Sequence, residues 1–168
     1  MLTEFIKERK VTMKKSFVPD DIDLKILSIL MHDAKKTYAE IGKELFISGG
    51  TVHVRIKKLM EAEVILNSQL KVDYTKLGYD ITAFLGIYLE KSKFYDDVSK
   101  QLGDIPEILE VHYTTGVYSI FAKVICRDTD HLRNIISDKI QQINGIQRTE
   151  TFISLHNSQL RPLKIVTE

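Results

Sequence analysis

One apolar spacing occurs twice in the second half of the chain. Val98, Leu102, Ile105 and Ile108 stand 4, 3 and 3 residues apart, and Ile136, Ile140, Ile143 and Ile146 repeat that spacing. Each set follows a strand-like run, TAFLGIYLE (82–90) or VYSIFAKVIC (117–126), and leads into another, ILEVHYTT (108–115) or IQRTETFISL (146–155). A period near 3.6 calls for a helix with one buried stripe, and β-branched runs call for a sheet in which to pair. The order is βαβ twice with a turn at Gly116 between the copies, which predicts a ferredoxin-like βαββαβ domain over residues 80–156. Within 82–90, Ala83, Leu85, Ile87 and Leu89 share one face of the strand, and Phe84 and Tyr88 project from the other. A four-stranded sheet with both helices on one side leaves its other side open. Bulky aromatics there predict that a second copy of the chain covers it, with Phe84 and Tyr88 in the dimer interface; scattered surface aromatics are the plainer alternative.

The first half reads differently. Pro19-Asp20-Asp21 is a helix start, with acids at the positive end of the dipole, and Ile22, Ile26, Leu27, Ile29 and Leu30 follow at helical spacing. A short second helix is expected from Thr37 to Leu45, with Ile41 and Leu45 inward and Gly42 small enough for a close helix crossing. A third runs from Ser48, an N-cap residue, to about Ala62, with Val52, Ile56 and Leu59 on its buried stripe. The turn at Phe46-Ile47 gives the last two helices helix-turn-helix dimensions, so residues 20–65 form the first domain. The segment 66–79, LNSQLKVDYTKLGY, is read as a strand or wing followed by a hinge near Gly78. Residues 1–19 are read as a poorly ordered extension and 157–168 as a C-terminal tail. The fold class is α+β, a winged-helix-like helix-turn-helix domain followed by the ferredoxin-like domain.

Charge narrows the partner. Residues 1–78 hold 14 Lys/Arg against 11 Asp/Glu, and residues 79–168 hold 10 against 12. More telling, Ser48–Met60 contains no acid. With Val52, Ile56 and Leu59 inward, the outward residues include Thr51, His53, Arg55, Lys57 and Lys58, while Gly49 and Gly50 in the first turn allow close approach to base edges or phosphates. Double-stranded DNA demands cations for phosphates and a helix end that enters the major groove. The plain alternative is an ordinary solvated cationic face. The candidate DNA-binding residues are therefore Ser48, Gly49, Gly50, Thr51, His53, Arg55, Lys57 and Lys58.

Catalytic chemistry is sparse. The five histidines show no metal-ligand spacing, no nucleophile or phosphate-loop motif occurs, and neither cofactor nor metal is expected. The single cysteine, Cys126, excludes an internal disulfide and reads as a buried thiol. No run approaches the roughly 20 apolar residues that span a bilayer. A cytoplasmic protein without a membrane partner is expected.

Several separated segments now carry a resemblance: DDIDLKILSILMHDAKKTYAEIGKELFISGGTVHVRIKKLMEAEVI, KLGYDITAFLGIYLE, TTGVYSIFAKV and GIQRTETFISL. Across about residues 20–156 the chain resembles the Lrp/AsnC family of bacterial and archaeal regulators. That resemblance implies a DNA-binding helix-turn-helix, a hinge, and a C-terminal domain that dimerises through its sheet and binds a small effector, usually an amino acid. It also implies further assembly, often to an octamer. It places the effector at the turn comprising Thr114, Thr115, Gly116, Tyr118 and Ser119, where the residues alone fit a plain hairpin turn equally well. Three positions depart from the family pattern. Glu63 stands where glycine is usual, so the exit of the third helix is expected to differ; Met60 often has glutamate in its place; Ser119 replaces an acid that would meet an α-ammonium group. Sirohaem decarboxylases resemble the same family throughout, so an enzyme on this scaffold is one rival reading, and a nucleoid-type DNA binder without an effector is another.

Overall fold

The computed structural model describes residues 17–165, which fall into two compact units. One unit holds the described residues up to Leu70 together with those from Leu160 onward; the other is Lys71–Gln159. The expectation of a poorly ordered extension lies, for residues 1–16, outside the described part.

The first unit is built from three helices, each with the cap that its sequence supplies. Helix α1 (Asp21–His32) has Asp20 as N-cap, and the Asp20 and Asp23 carboxylates accept each other's backbone N–H in a capping box. Helix α2 (Tyr38–Glu44) repeats the device with Thr37 and Glu40. Helix α3 (Gly49–Glu61) starts from Ser48, whose Oγ accepts the Thr51 N–H at 3.0 Å. Ile26, Ile41, Val52 and Ile56 form the core between them, with Leu45, Ile47 and Ile65 packed against it. Gly42 is indispensable to the crossing, because a Cβ there would lie 2.7 Å from the Ile47 carbonyl oxygen and 3.0 Å from the Gly49 nitrogen.

Both turns that bound α3 are left-handed at residues other than glycine, Phe46 at φ 56° and Glu63 at φ 58°. The α3 exit therefore does not differ in the way that Glu63 suggested. Val64 N–H donates to the Leu59 carbonyl at 2.9 Å and Glu63 N–H to that of Met60 at 3.0 Å, the two bonds of a Schellman cap. Hydrogen bonding and burial of Leu59 hold the cap in place, and Glu63 takes the steric penalty.

The second unit is a four-stranded antiparallel sheet in the order β2-β3-β1-β4, formed by β1 (Ile81–Leu89), β2 (Ile108–Tyr113), β3 (Ile120–Cys126) and β4 (Ile146–Ile153). Helix α4 (Tyr95–Gly103) links β1 to β2, and α5 (Thr129–Asn134) links β3 to β4. This is the ferredoxin-like arrangement, and the class is α+β as expected. Ala83, Leu85, Ile87, Ala122 and Val124 on the inner sheet face meet Val98, Leu102, Leu132, Ile135 and Ile140 from the helical layer.

Two readings need correction. Residues 66–79 contain no strand; their one regular element is a 3₁₀ turn, Tyr74–Leu77, closed by Gly78 at φ 80°. Alternating β-prone residues make a strand only where another strand lies alongside, and none does within the described chain. In the second copy of the repeat the fully buried residue is Ile135, while Ile136 is only partly covered. Helix α5 continues as a π-helical turn over Ile135–Ile140, with Gln141 N–H bonded to the Ile136 carbonyl five residues back, so the inward positions Ile135 and Ile140 lie five apart. The turn expected at Gly116 is present between β2 and β3; Gly116 itself is outside the left-handed region and has nothing within 4 Å of its would-be Cβ.

Relieving the strain at Glu63 should raise stability. Glu63→Gly is expected to add about 1 kcal/mol to the helical unit. Urea unfolding followed by circular dichroism checks this, and an unchanged or lower midpoint would rule out strain at that cap.

Candidate nucleic-acid interface and effector turn

Helix α3 sorts its residues by face. Val52, Ile56 and Leu59 are buried, whereas Thr51, His53, Lys57 and Lys58 are exposed, as are Ser48 and Gly50 at its start. The two glycines differ. Gly49 lies against α2, its would-be Cβ at an ordinary contact distance of 3.4 Å from the Ala39 backbone; Gly50 meets only the Ser48 hydroxyl at 3.7 Å and lies open. Ser48 and Thr51 also join their hydroxyls at 2.8 Å, which orients both at the open helix end. The His53 ring lies 5.5 Å from that of Tyr38, at the first turn of α2. Tyr38 was not foreseen as part of this face, although the Thr37–Glu40 capping box that fixes its position is plain in the sequence.

Arg55 is the clearest departure from the expected arrangement. Its guanidinium turns toward α1 and donates to Asp20 at 2.7 and 2.9 Å and to Asp23 at 2.8 Å. The Asp23 side chain is 6% exposed and that of Arg55 24%, so this is a largely covered, charge-assisted cluster. The Asp20 carboxyl is held below its usual range by the Asp23 backbone N–H and then by Arg55, and Arg55 is held above its own by Asp20 and Asp23. Arg55 therefore braces α3 against α1. Lys57 and Lys58 remain outward, Lys57 with only a loose 3.9 Å approach to Glu61.

The turn from Thr114 to Ser119 closes as a hairpin. Thr114 N–H donates to the Ser119 carbonyl at 3.1 Å, and its hydroxyl to the Tyr118 carbonyl at 2.5 Å. Thr115, Gly116 and Val117 form an exposed tip. Ser119 faces inward, accepting the Leu89 N–H at 3.5 Å, while its own N–H bonds to the Ile87 carbonyl. Tyr118 closes the turn through its carbonyl. Its ring lies across β1, over Gly86, where an added Cβ would come within 2.4 Å of it.

Tyr118 also joins an aromatic layer on the outer sheet face. Phe84 stacks on Phe121 at 5.8 Å, Tyr88 meets Tyr118 edge-on at 5.2 Å, and Phe152 lies 6.0 Å from Tyr118. Glu150 accepts from both tyrosine hydroxyls, at 2.8 Å from Tyr118 and 3.1 Å from Tyr88, and Arg148 sits 3.8 Å over the Tyr88 ring. The hydrogen bond from Tyr118 holds the Glu150 carboxyl below its ordinary range. On the opposite face Cys126 is buried, and burial, then Glu107 and Asp128, push its thiol up to about 11, away from nucleophile chemistry. Among the described residues no cluster of three or more His, Cys, Asp or Glu could hold a metal, and no helix is long and apolar enough to cross a membrane.

Comparison with known proteins matches both units. The profile of a winged helix-turn-helix DNA-binding domain covers residues 19–65, and that of the Lrp/AsnC ligand binding domain covers residues 82–162. Regulatory protein AsnC of Haemophilus influenzae is 43% identical over 145 residues, spanning 86% of this chain and 97% of the relative. The chain belongs to the Lrp/AsnC family. The structure of Escherichia coli AsnC, 41% identical, superposes with a TM-score of 0.84 over 88% of this chain and 99% of that one. The transcriptional regulator NMB0573 of Neisseria meningitidis, solved with L-Met, has a TM-score of 0.82 over 86% of this chain and 94% of its own, and at 18% identity shares the fold. This Lrp/AsnC protein is accordingly a DNA-binding transcriptional regulator with a small-molecule effector domain. Its relatives are regulators, and the sirohaem-decarboxylase alternative is set aside on that ground.

Arg55→Ala is expected to leave the buried Asp23 carboxylate unpaired and to cost about 3 kcal/mol of stability. Urea unfolding measures the loss, and a variant as stable as the parent would remove Arg55 from its bracing role.

Proposed function

We propose that the protein acts in the cytoplasm as a homodimer, assembling further toward an octamer, that sets α3 of each protomer into successive major grooves of a near-palindromic operator. The observation that carries this is the outward face of α3, where Ser48, Gly50, Thr51, His53, Lys57 and Lys58 are exposed at and beyond an open helix start with no acid before Glu61. Lys57 and Lys58 meet phosphates, and Ser48, Thr51 and His53 lie nearer bases. Gly49 lies at the same helix start, against α2, and Arg55 contributes by holding α3 to α1.

The outer sheet face supports the dimer. Phe84, Tyr88, Phe121 and Phe152 form a contiguous aromatic layer rimmed by Arg148 and Glu150, the composition of an interface core with a charged border. A second copy presents the same layer, and twofold symmetry pairs the two. The effector is an amino acid or a close relative, bound at the turn of Thr114, Thr115, Gly116, Tyr118 and Ser119 where dimers meet. NMB0573, bound to L-Met, lends that class of ligand its support. Ser119 has no charge to offer an α-ammonium group, so free amino acids bind weakly or find a neighbouring carboxylate.

Replacing Lys57 and Lys58 by alanine should weaken binding to every DNA sequence and flatten the dependence of affinity on salt, each lost phosphate contact removing about 0.9 from the slope of log K against log salt. Gel shift and anisotropy across salt concentrations test it, and unaltered slopes would take these lysines off the phosphates. In a sedimentation series, Phe152→Asp should yield monomers where the parent gives dimers or larger particles, and adding each of the twenty amino acids should shift the parent's distribution. Parent-like mass in the variant would move the interface elsewhere, and indifference to every amino acid would remove the effector class.

A further inference from the structure

We propose that Val54 reads sequence, its methyl groups meeting the C5-methyl of a thymine when α3 lies in the major groove. This rests on the reading of α3 above as the helix that enters the groove, and adds to it a base-discriminating residue that carries no polar group.

Val54 is 51% exposed, on a helix whose buried stripe is already complete with Val52, Ile56 and Leu59. Two steps of about 100° each turn it to the side opposite Val52, so it stands at the crest of the outward face. One turn away on that face are Gly50 and Lys58, both exposed. Gly50 brings no side chain, and only the Ser48 hydroxyl lies within 4 Å of its would-be Cβ. The backbone of the first turn can therefore come close to a base edge, and the next side chain along that line is Val54. Val54 also lines, with Gly50, Thr51 and Lys58, an open cleft of about 750 Å³.

An apolar tip set against base edges has one match. In the major groove the bases present hydrogen-bond donors and acceptors, and thymine alone adds a methyl group. Opposite any other base, valine would cover a donor or acceptor and return no bond. Valine suits the task mechanically as well, because in a helix its χ1 keeps to one strongly preferred rotamer and its methyls are fixed before DNA arrives. The adjacent cation does not compete for the same edge, since Arg55 is bonded to Asp20 and Asp23. Lys57 and Lys58, three and four residues on, are exposed and supply phosphate contacts that hold the crest in the groove.

The test uses the full chain and a duplex selected by it. A random-sequence pool is enriched by binding at about 50 mM KCl, and each thymine of the selected site is then replaced by deoxyuridine, which removes the methyl and keeps every hydrogen-bonding group. Losing one buried methyl is expected to weaken binding of the parent about fourfold, read by anisotropy, at one thymine of each half-site. Val54→Ala, a better helix former whose side chain ends one bond short, is expected to bind the thymine duplex more weakly and to respond less than about twofold to the same replacement. A parent indifferent to every replacement, or a selected site without thymine, overturns the proposal and leaves the helix-turn-helix reading standing. A replacement that weakens the parent and Val54→Ala equally also overturns it, because another side chain then reads the methyl. A pool that never enriches overturns both readings.

Discussion

Strand β1 is the constraint on which the effector unit depends. It pairs with β3 along one edge and β4 along the other, from Ile81↔Cys126 and Ala83↔Ile153 onward, so it joins the two βαβ copies into one sheet. Its strict alternation sends Ala83, Leu85 and Ile87 into the core and Phe84, Gly86 and Tyr88 outward. A slip of one residue would exchange the two sets and destroy both the core and the aromatic layer. Gly86 has a particular part in this. Only a residue without a Cβ leaves room for the Tyr118 ring, and that ring carries the hydroxyl that ties β3's entry to Glu150 on β4. The turn from Thr114 to Ser119 is thus anchored through the sheet at Ser119 and Tyr118, while its tip stays exposed.

In the helical unit, one charge contact divides structure from recognition. α3 brings three cations to its middle, and Asp20 and Asp23 claim Arg55. Lys57 and Lys58 stay exposed on the same helix. One guanidinium nitrogen, Nη1, makes all three bonds to the two carboxylates, and so ties both acids of the α1 capping box to α3. The left-handed turns at Phe46 and Glu63 flank the same helix. Phe46 is 95% exposed, so burial of its side chain does not offset the strain; the Ile47 N–H bond to the Gly42 carbonyl and the burial of Gly42 hold that turn.

Much of this was legible in the residues. The caps at Asp20, Thr37 and Ser48, the three helices, the four strands and the double βαβ order follow from local chemistry, because capping side chains and period-two or period-3.6 burial act over a few residues. The failures were equally physical. Residues 66–79 look like a strand, but strand formation needs a neighbour that the described chain does not supply. Ile136 looked like the inward residue of the second helix because an α-helical period was assumed, and a π-helical turn moves that place to Ile135.

What the sequence by itself determined is therefore the set of elements, their order, and which face of each is apolar. Tertiary structure alone decided which polar groups were spent inside the protein. Arg55 lies 35 residues from Asp20 and Tyr118 lies 32 from Glu150, separations at which no periodicity links donor to acceptor. A cation on an exposed-looking helix face and a tyrosine beside a turn acquire their roles only when packing brings an acid within hydrogen-bond reach. That distance is set by the fold of the whole unit, and composition and spacing carry no measure of it.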